Sequence, residues 1–243
     1  MDQKVSSSSP TVAVWDLPTR LFHWILVAAI LLLFLSGEIG GLDLSLPLPG
    51  GERLMLGNMD LHMLLGETVL GLVIFRVLWG LIGSSTARFA TFVRGPAAVI
   101  DYLKALKRGD LPLSVGHNPA GALMILALLA LAFVQVGTGL FANDDIFSEG
   151  PLAHLVSKGT SDLLTGVHGA LFNLMGLAIL AHVGAAVYYR LRGKNLILSM
   201  LTGRKAAELI PAGAELPRLQ SFWLAVPVAL IAAGAVWVLV HQL

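Results

Sequence analysis

The stretch VHGALFNLMGLAILAHVGAAVYY, residues 167–189, decides the class of fold. It is long and apolar enough to form a helix that crosses a membrane, which takes about 20 mostly apolar residues. It also carries His168 and His182, whose separation of 14 residues is close to four helical turns. The two side chains therefore lie on nearly the same face of one helix, about 21 Å apart along its axis.

The composition of the whole chain is typical of a polytopic membrane protein. Of its 243 residues, 56% are hydrophobic and 13% are charged, and the mean hydropathy is +0.80. Soluble domains have roughly 45–50% apolar and about 25% charged residues, so a soluble globule and a disordered chain are excluded. The net charge of +1 gives no electrostatic footprint for nucleic acid. The lack of cysteine excludes disulfides, iron–sulfur clusters and covalently attached c-type haem.

Hydropathy predicts five membrane spans, and loop charge predicts their orientation. The predicted spans cover about residues 21–35 (with a start as early as 17), 61–82, 120–141, 164–189 and 222–240. The loops on one side hold 13 of the 16 Lys and Arg residues, whereas the loops on the other side hold only Arg53 and Lys158 and are acidic. The positive-inside rule then places the N-terminus in the cytoplasm and the C-terminus outside.

Three segments outside the spans have recognisable character. Residues 1–10 are polar and Ser-rich, which predicts a disordered cytoplasmic tail. Gly95–Arg108 has apolar residues at helical spacing, which predicts either an interfacial helix or a solvated connector. Ser45–Gly51 is predicted to be a turn-rich external loop.

Four of the seven histidines lie within or at the edges of spans, where polar groups are costly and usually functional. The first helix starts inside and the second outside, so His23 lies at the inner level and His62 at the outer level. The fourth helix enters from outside, which places His168 at the outer level and His182 at the inner level. The depths therefore match in two pairs, one at each level of the membrane.

Two stacked pairs of opposed imidazoles predict two b-type haems, each with one axial nitrogen from either face. Zinc requires four ligands around one point, which an axial split of about 21 Å excludes. Di-iron bundles use paired Glu and Glu-x-x-His motifs, and the sequence contains none. Because the protein fills both axial positions, the expected chemistry is electron transfer rather than oxygen activation.

Small residues near the histidines are candidates for haem contact. Gly66 and Gly80 share the helix face of His62, and Gly166 and Gly169 flank His168. Each leaves room for a porphyrin, although glycine is also common where membrane helices touch.

Two arginines are candidates for binding haem propionates. Arg76 lies 14 residues after His62, on the same face but at the inner level. We expect it to pair with a propionate of the inner haem, the alternative being extension to the cytoplasmic surface. Arg20, three residues before His23, is a second candidate, and anchoring at the inner surface explains it equally well.

Several motifs resemble a known family. They are VWDLPTRLFHW (14–24), LHMLLGETVLGLVIFRVLWG (61–80), GHNPAGALM (116–124), TGLFANDDI (138–146), VHGALFNLMGLAILAHVGAAVYY (167–189) and NLILSMLTGRK (195–205). Together they span most of the chain, which resembles the bacterial di-haem cytochrome b family that includes the b-type subunits of nickel–iron uptake hydrogenases. The GHNP and TGLF-x-x-DD motifs carry no ligand that we can assign.

The resemblance implies an all-α membrane protein: a four-helix transmembrane bundle that binds two non-covalent b haems, plus a fifth transmembrane helix. It implies that the first and second helices each ligate one haem against the fourth, through the same four histidines. Residues 11–205 would form the di-haem domain, and residues 206–243 a linker and the extra helix. Family members pass electrons between an external redox partner and membrane quinone.

The expected function is therefore electron transfer across the bacterial inner membrane, between membrane quinone and an external protein such as a c-type cytochrome or a hydrogenase. Asp144 and Asp145 are candidates for docking a basic partner, although helix capping and the exclusion of positive charge explain them more simply. No catalytic residue is assigned, and the quinone site is expected near either haem.

Two other functions are alternatives. A stand-alone superoxide:quinone oxidoreductase is disfavoured, because the outer loops hold eight acidic residues against Arg53 and Lys158. A transporter is disfavoured because the spans contain few polar residues besides the histidines.

Overall fold

The computed structural model describes residues 10–242, and five long helices dominate this part of the chain. The helices are α1 (Leu17–Phe34), α2 (Asn58–Ile82), α3 (Phe89–Phe92), α4 (Pro96–Lys107), α5 (Pro119–Gly139), α6 (Lys158–Leu191), α7 (Leu196–Thr202) and α8 (Phe222–His241). A π-helical turn, Leu35–Ile39, continues α1. The helices α1, α2, α5, α6 and α8 are long and apolar enough to cross a membrane, which confirms the all-α membrane fold. Apart from Pro10, the tail predicted over residues 1–10 lies outside the described residues.

Polar side chains fix where four of the long helices begin. The oxygen of each capping side chain accepts a hydrogen bond from a backbone N–H in the first turn, which satisfies a donor that the helix itself leaves unpaired. The caps are Asp16 for α1, Asn118 for α5, Ser157 for α6 and Ser221 for α8. Because Ser157 acts as a cap, α6 begins at Lys158 rather than near residue 164, and its first turns precede the apolar stretch.

The helix α2 lies at the centre of the packing. Its neighbours are α1, α5 and α8. One buried cluster joins it to α1 and α5 through Ala29, Val73 and Ala132. A second joins it to α1 and α8 through residues that include Trp79 and Ala232. The helix α8 therefore packs directly on the four-helix core.

The helix α6 stands apart from this packed group. Among the long helices it packs closely only on α5. In the most apolar 18-residue stretch of α6, 6% of the residues are buried. In the corresponding stretch of α2, 33% are buried. A gap therefore separates α6 from α1 and α2, the two helices that carry the other candidate ligands.

Short elements close the two ends of the bundle. At one end β1 (Thr11–Ala13) pairs antiparallel with β4 (Arg204–Ala206). At the other end β2 (Leu44–Pro47) pairs antiparallel with β3 (Arg53–Leu56). The stretch predicted as a loop over residues 45–51 is thus part of a hairpin.

The segment predicted as either an interfacial helix or a connector is the helix α4. Gly95 precedes it, and its residues Tyr102 and Ala105 are buried. The Tyr102 hydroxyl lies 2.7 Å from the Tyr189 hydroxyl and so ties α4 to the end of α6.

Candidate functional site

The four candidate histidines meet across the gap in the two pairs that the depth argument predicts. The ring centres of His62 and His168 lie 6.4 Å apart, and those of His23 and His182 also lie 6.4 Å apart. A metal–nitrogen bond is about 2 Å long and a ring nitrogen lies roughly 1 Å from the ring centre, so two rings that share one metal stand roughly 6 Å apart. Both pairs have the spacing that an iron between two imidazoles requires.

The outer pair also has the hydrogen bonds that orient a ligand histidine. His62 Nδ1 lies 2.8 Å from the Ser36 hydroxyl, which itself donates to the Leu33 carbonyl oxygen. His168 Nδ1 lies 2.9 Å from the Gln135 carbonyl oxygen. Each Nδ1 therefore carries the hydrogen and donates, which leaves the Nε2 lone pair of each ring free for a metal.

A cavity of about 460 Å³ opens beside the outer pair. His62 and His168 line it together with Phe172 and two of the predicted glycines, Gly66 and Gly169. A Cβ atom added at either glycine would meet nothing within 4 Å, so both positions face open space. The volume lies within the range of about 300–1,000 Å³ that is usual for cofactor sites.

One aromatic side chain packs against the inner pair. The Trp24 indole packs edge-on against the His23 ring, with centres 4.8 Å apart. Within the described residues, His23 Nδ1 is buried and has no hydrogen-bond partner.

Arg76 is among the buried residues of α2. It is only 3% exposed, which is incompatible with extension to the aqueous surface. Its guanidinium lies over the Phe89 ring, 4.8 Å from the ring centre. The role of Arg76 as a propionate partner stays a prediction.

Two other predicted haem contacts have different neighbours in the structure. Arg20 donates to the carbonyl oxygens of Met200 and Leu201 at the end of α7, where a cation interacts favourably with the helix dipole. Gly80 provides room for the Phe89 ring, since an added Cβ would lie 2.0 Å from Phe89 Cε2. The prediction that Gly80 leaves room for a porphyrin is therefore wrong. Propionate binding by Arg20 stays a prediction.

Sequence reasoning missed residues that support the outer ligands. Thr138 and Gly139 belong to the TGLF motif, to which no role was assigned. The Thr138 hydroxyl lies 3.3 Å from His168 Nδ1, and Gly139 borders the same ring. Because they lie about 30 residues before His168 in the sequence, no local pattern predicts their contact with its ring. Only the family resemblance singled out their motif.

The GHNP motif organises the inner end of α5. Asn118 caps the helix, and Pro119 is its first residue. His117 lies between two aromatic rings, 4.5 Å from the centre of Trp15 and 4.7 Å from that of Phe92. This histidine was not among the predicted site residues.

Known proteins resemble this chain over most of its length. A family model described as prokaryotic cytochrome b561 matches residues 14–203, which include all four histidines. A protein of Bradyrhizobium diazoefficiens named "Probable Ni/Fe-hydrogenase B-type cytochrome subunit" is 24% identical over 221 residues, which cover 81% of this chain and 86% of that protein.

Proposed function

Because this chain belongs to the prokaryotic cytochrome b561 family, a family of membrane electron-transfer proteins, we propose that it holds two b haems and carries electrons across the bilayer. One observation carries this proposal: two histidine pairs with the same ring spacing of 6.4 Å lie at two levels of one bundle. His62 and His168 would hold the outer haem, and His23 and His182 the inner one.

Bound haem supplies one-electron redox chemistry at each level. The four histidines decide what kind of redox chemistry this would be, because two of them would hold each iron and would leave no open ligand position for oxygen. His168 and His182 lie 14 residues apart on α6, which spaces the two levels by about 21 Å. The stacked rings of Phe34 and Phe172, with centres 5.8 Å apart, bridge the gap between α1 and α6.

The external terminus of the path would be a redox protein. The related protein of Bradyrhizobium diazoefficiens carries the name of a hydrogenase subunit, so a hydrogenase is the first candidate partner and a c-type cytochrome the second. Asp144 and Asp145 are engaged within the outer loop, since Asp144 accepts backbone N–H bonds and Asp145 pairs with Lys158. The same loop exposes Ile146 and Phe147, which lie in the sequence between Asp144 and Ser148 of the cavity lining. This apolar tip is the better candidate for contact with a partner.

The other terminus would be membrane quinone, and the membrane would be the bacterial inner membrane with the N-terminus in the cytoplasm. Loop charge supports this orientation. The exposed apolar side chains of the long helices fit contact with lipid.

A stand-alone superoxide:quinone oxidoreductase receives no support from the outer site. Four acidic residues line the outer cavity: Glu38, Glu67, Asp144 and Glu149. Their field repels an anionic substrate. We expect the purified protein, supplied with quinone, to consume superoxide no faster than the buffer does.

Haem stoichiometry tests the proposal. Reduced-minus-oxidised spectra with pyridine-haemochrome quantitation should give two b haems per chain in the wild-type protein. His182→Ala should remove only the inner haem and His168→Ala only the outer one, because each variant breaks a single pair. His241→Ala, at the exposed end of α8, is the control and should keep both haems. A colourless wild-type protein, or loss of both haems in each single variant, would contradict the pairing.

A further inference from the structure

A cluster of basic side chains lies buried at the inner end of the bundle. It comprises Arg76 on α2, His117 just before α5 and Lys205 on β4. Arg76 is 3% exposed and Lys205 is 6% exposed. Among the described residues, the ion pairs are all formed by other, exposed side chains. Neither cation therefore has a carboxylate oxygen within 4.0 Å. Since buried charges are normally paired, the lack of a carboxylate in direct contact is unusual.

Two atoms of the cluster also lack hydrogen bonds. Arg76 Nη1 and His117 Nδ1 are shielded from solvent, and neither has a partner within residues 10–242. Buried polar atoms are almost always satisfied, so two such atoms in one cluster indicate a ligand with oxygen acceptors. Asp16 lies near Arg76 but is engaged elsewhere, because its oxygens accept from the Thr19 backbone N–H and the Trp79 indole N–H.

Aromatic rings join the unpartnered groups into one site. The Phe92 ring lies 5.9 Å from the guanidinium carbon of Arg76 and 4.7 Å from the ring centre of His117. Trp15 also packs against the His117 ring, with centres 4.5 Å apart. Burial, together with the charges of Arg76 and Lys205, lowers the pKa of His117 to about 3. The cluster is therefore a confined region of positive potential.

The site lies beside the inner histidine pair. His182 is close enough to act electrostatically on His117, and Arg76 lies on the same helix as His62 but at the inner level. A b haem held by His23 and His182 carries two propionate carboxylates. They are the anions that would be present at this depth, and each offers the oxygen acceptors that the cluster lacks.

We infer that Arg76 and His117 together bind the propionate carboxylates of the inner haem, with Lys205 adding positive potential. The inference rests on the proposed function, since it requires a haem between His23 and His182. It assigns to the GHNP motif a ligand-binding role besides its capping of α5. It also predicts that the carboxylate edge of the inner haem would face α3 and β4, which carry Phe92 and Lys205.

Reconstitution with a haem that lacks the carboxylates tests this inference. The full-length chain, produced without haem, would be titrated with iron protoporphyrin IX and with its dimethyl ester, and bound haem followed by absorbance. The inner binding step is the one that His182→Ala removes. We expect the wild-type inner site to prefer the free acid by roughly tenfold or more, the effect of one hydrogen bond to a charged group. The variants Arg76→Leu and His117→Leu should each lower that preference.

Conservative variants separate recognition from a merely structural effect. Arg76→Lys keeps the charge and His117→Gln keeps an N–H donor, so each should restore part of the preference. A general loss of packing would weaken both haem forms equally and leave their ratio unchanged. Arg94→Leu, which removes an exposed arginine, is the matched control and should behave like the wild-type protein.

Three results would separate the possible failures. An unchanged preference for the free acid in both leucine variants would overturn the propionate site, while the two-haem proposal would stand. Inorganic phosphate that binds to the haem-loaded wild-type protein, but not to Arg76→Leu, would identify a site for a free anion and would also overturn it. A wild-type chain that takes up no inner haem would instead refute the proposed function.

Discussion

Glycine residues next to the outer ligand rings show how much a single Cβ atom matters here. A Cβ added at Gly139 would lie 2.9 Å from His168 Cε1, and one added at Gly37 would lie 3.2 Å from His62 Cε1. Real Cβ contacts are rarely so short, so either ring would have to move. The hydrogen bond from His168 Nδ1 to the Gln135 carbonyl oxygen opposes such a movement.

Replacement of Gly139 tests this clearance. Gly139→Ala should displace the His168 ring and weaken binding of the outer haem by roughly 10–100-fold, the usual effect of disturbing the groups that orient a ligand. The inner haem should be unaffected. Haem titration and the reduced-minus-oxidised spectrum measure both.

The same helix offers a matched control. A Cβ at Gly137 would meet nothing within 4 Å, so Gly137→Ala should keep both haems. Its effect on stability should be a gain of about 0.5–1 kcal/mol, since alanine is the better helix former. Equal haem loss in the two variants would show that ring clearance is not the reason for glycine at 139.

At the scale of elements, the five long helices have unequal roles. The helix α2 is packed on three sides, whereas α6 contributes two ligands and packs closely only on α5. The helix α8 carries no candidate ligand, and it buries small residues against Phe22, Phe75 and Trp79. The gap between α6 and the helices α1 and α2 therefore lies on one side of α2, and α8 packs on another side of α2.

The contact of α8 can be tested with two neighbouring alanines. Ala232 is 2% exposed, so Ala232→Leu should overpack the interface and destabilise the protein by about 1–3 kcal/mol. Ala233 is exposed to the surroundings of the bundle, so Ala233→Leu should have little effect. Thermal unfolding in detergent compares the two, and both should keep two haems. Loss of haem in Ala232→Leu alone would make α8 part of the haem domain rather than an addition to it.

The outer loop before α6 is ordered by one carboxylate. Asp144 accepts hydrogen bonds from the backbone N–H groups of Ile146, Phe147 and Ser148. These bonds lower the pKa of Asp144 from its ordinary value of 3.8 to about 2. Because the pKa is lower in the folded loop, the stabilisation is complete above about pH 4 and is lost as the pH falls toward 2.

Amide hydrogen exchange tests this role. At neutral pH, Asp144→Ala should lower the protection factors of the amides of residues 146–148, which compare each measured rate with the intrinsic rate at the same pH. Acidification toward pH 2 should lower the same protection factors in the wild-type protein. Asp43→Ala, which alters the other outer loop through its bond to the Asn58 backbone N–H, should leave residues 146–148 unchanged. Slow exchange in Asp144→Ala would show that the loop is held by other contacts.

At the scale of the whole molecule, tertiary contacts collect the basic loops at one end. Gly203 O accepts from the backbone N–H groups of Val14 and Trp15. Lys205 donates to the Ser114 carbonyl oxygen, 2.5 Å away. The three loops that hold most of the Lys and Arg residues therefore meet, which agrees with the alternating course of the spans. Which end faces the cytoplasm rests on the positive-inside rule.

Cysteine labelling determines that orientation, because the chain contains no cysteine of its own. Phe147 is 95% exposed at one end, and Glu215 is exposed in the basic region at the other. A membrane-impermeant maleimide should label Phe147→Cys in intact spheroplasts and Glu215→Cys only after permeabilisation. The reverse pattern would invert the proposed topology and exchange the inner and outer sites.

The sequence by itself determined the number and approximate positions of the spans, the asymmetry of loop charge and the stacking of His168 above His182 on one helix. Hydropathy and helical periodicity are properties of neighbouring residues, so they can be read without knowledge of the partners. The depth of each histidine followed from the same information, and for this reason the two pairs could be predicted before any helix was placed.

The tertiary structure decided everything that depends on which faces meet. It set the ring spacing of 6.4 Å in both pairs, directed Arg20 to the end of α7 and filled the space at Gly80 with Phe89. It also enclosed His117 beside Arg76, although 41 positions separate them in the chain. Contacts between residues so far apart depend on the packing and rotation of whole helices, which no local pattern specifies.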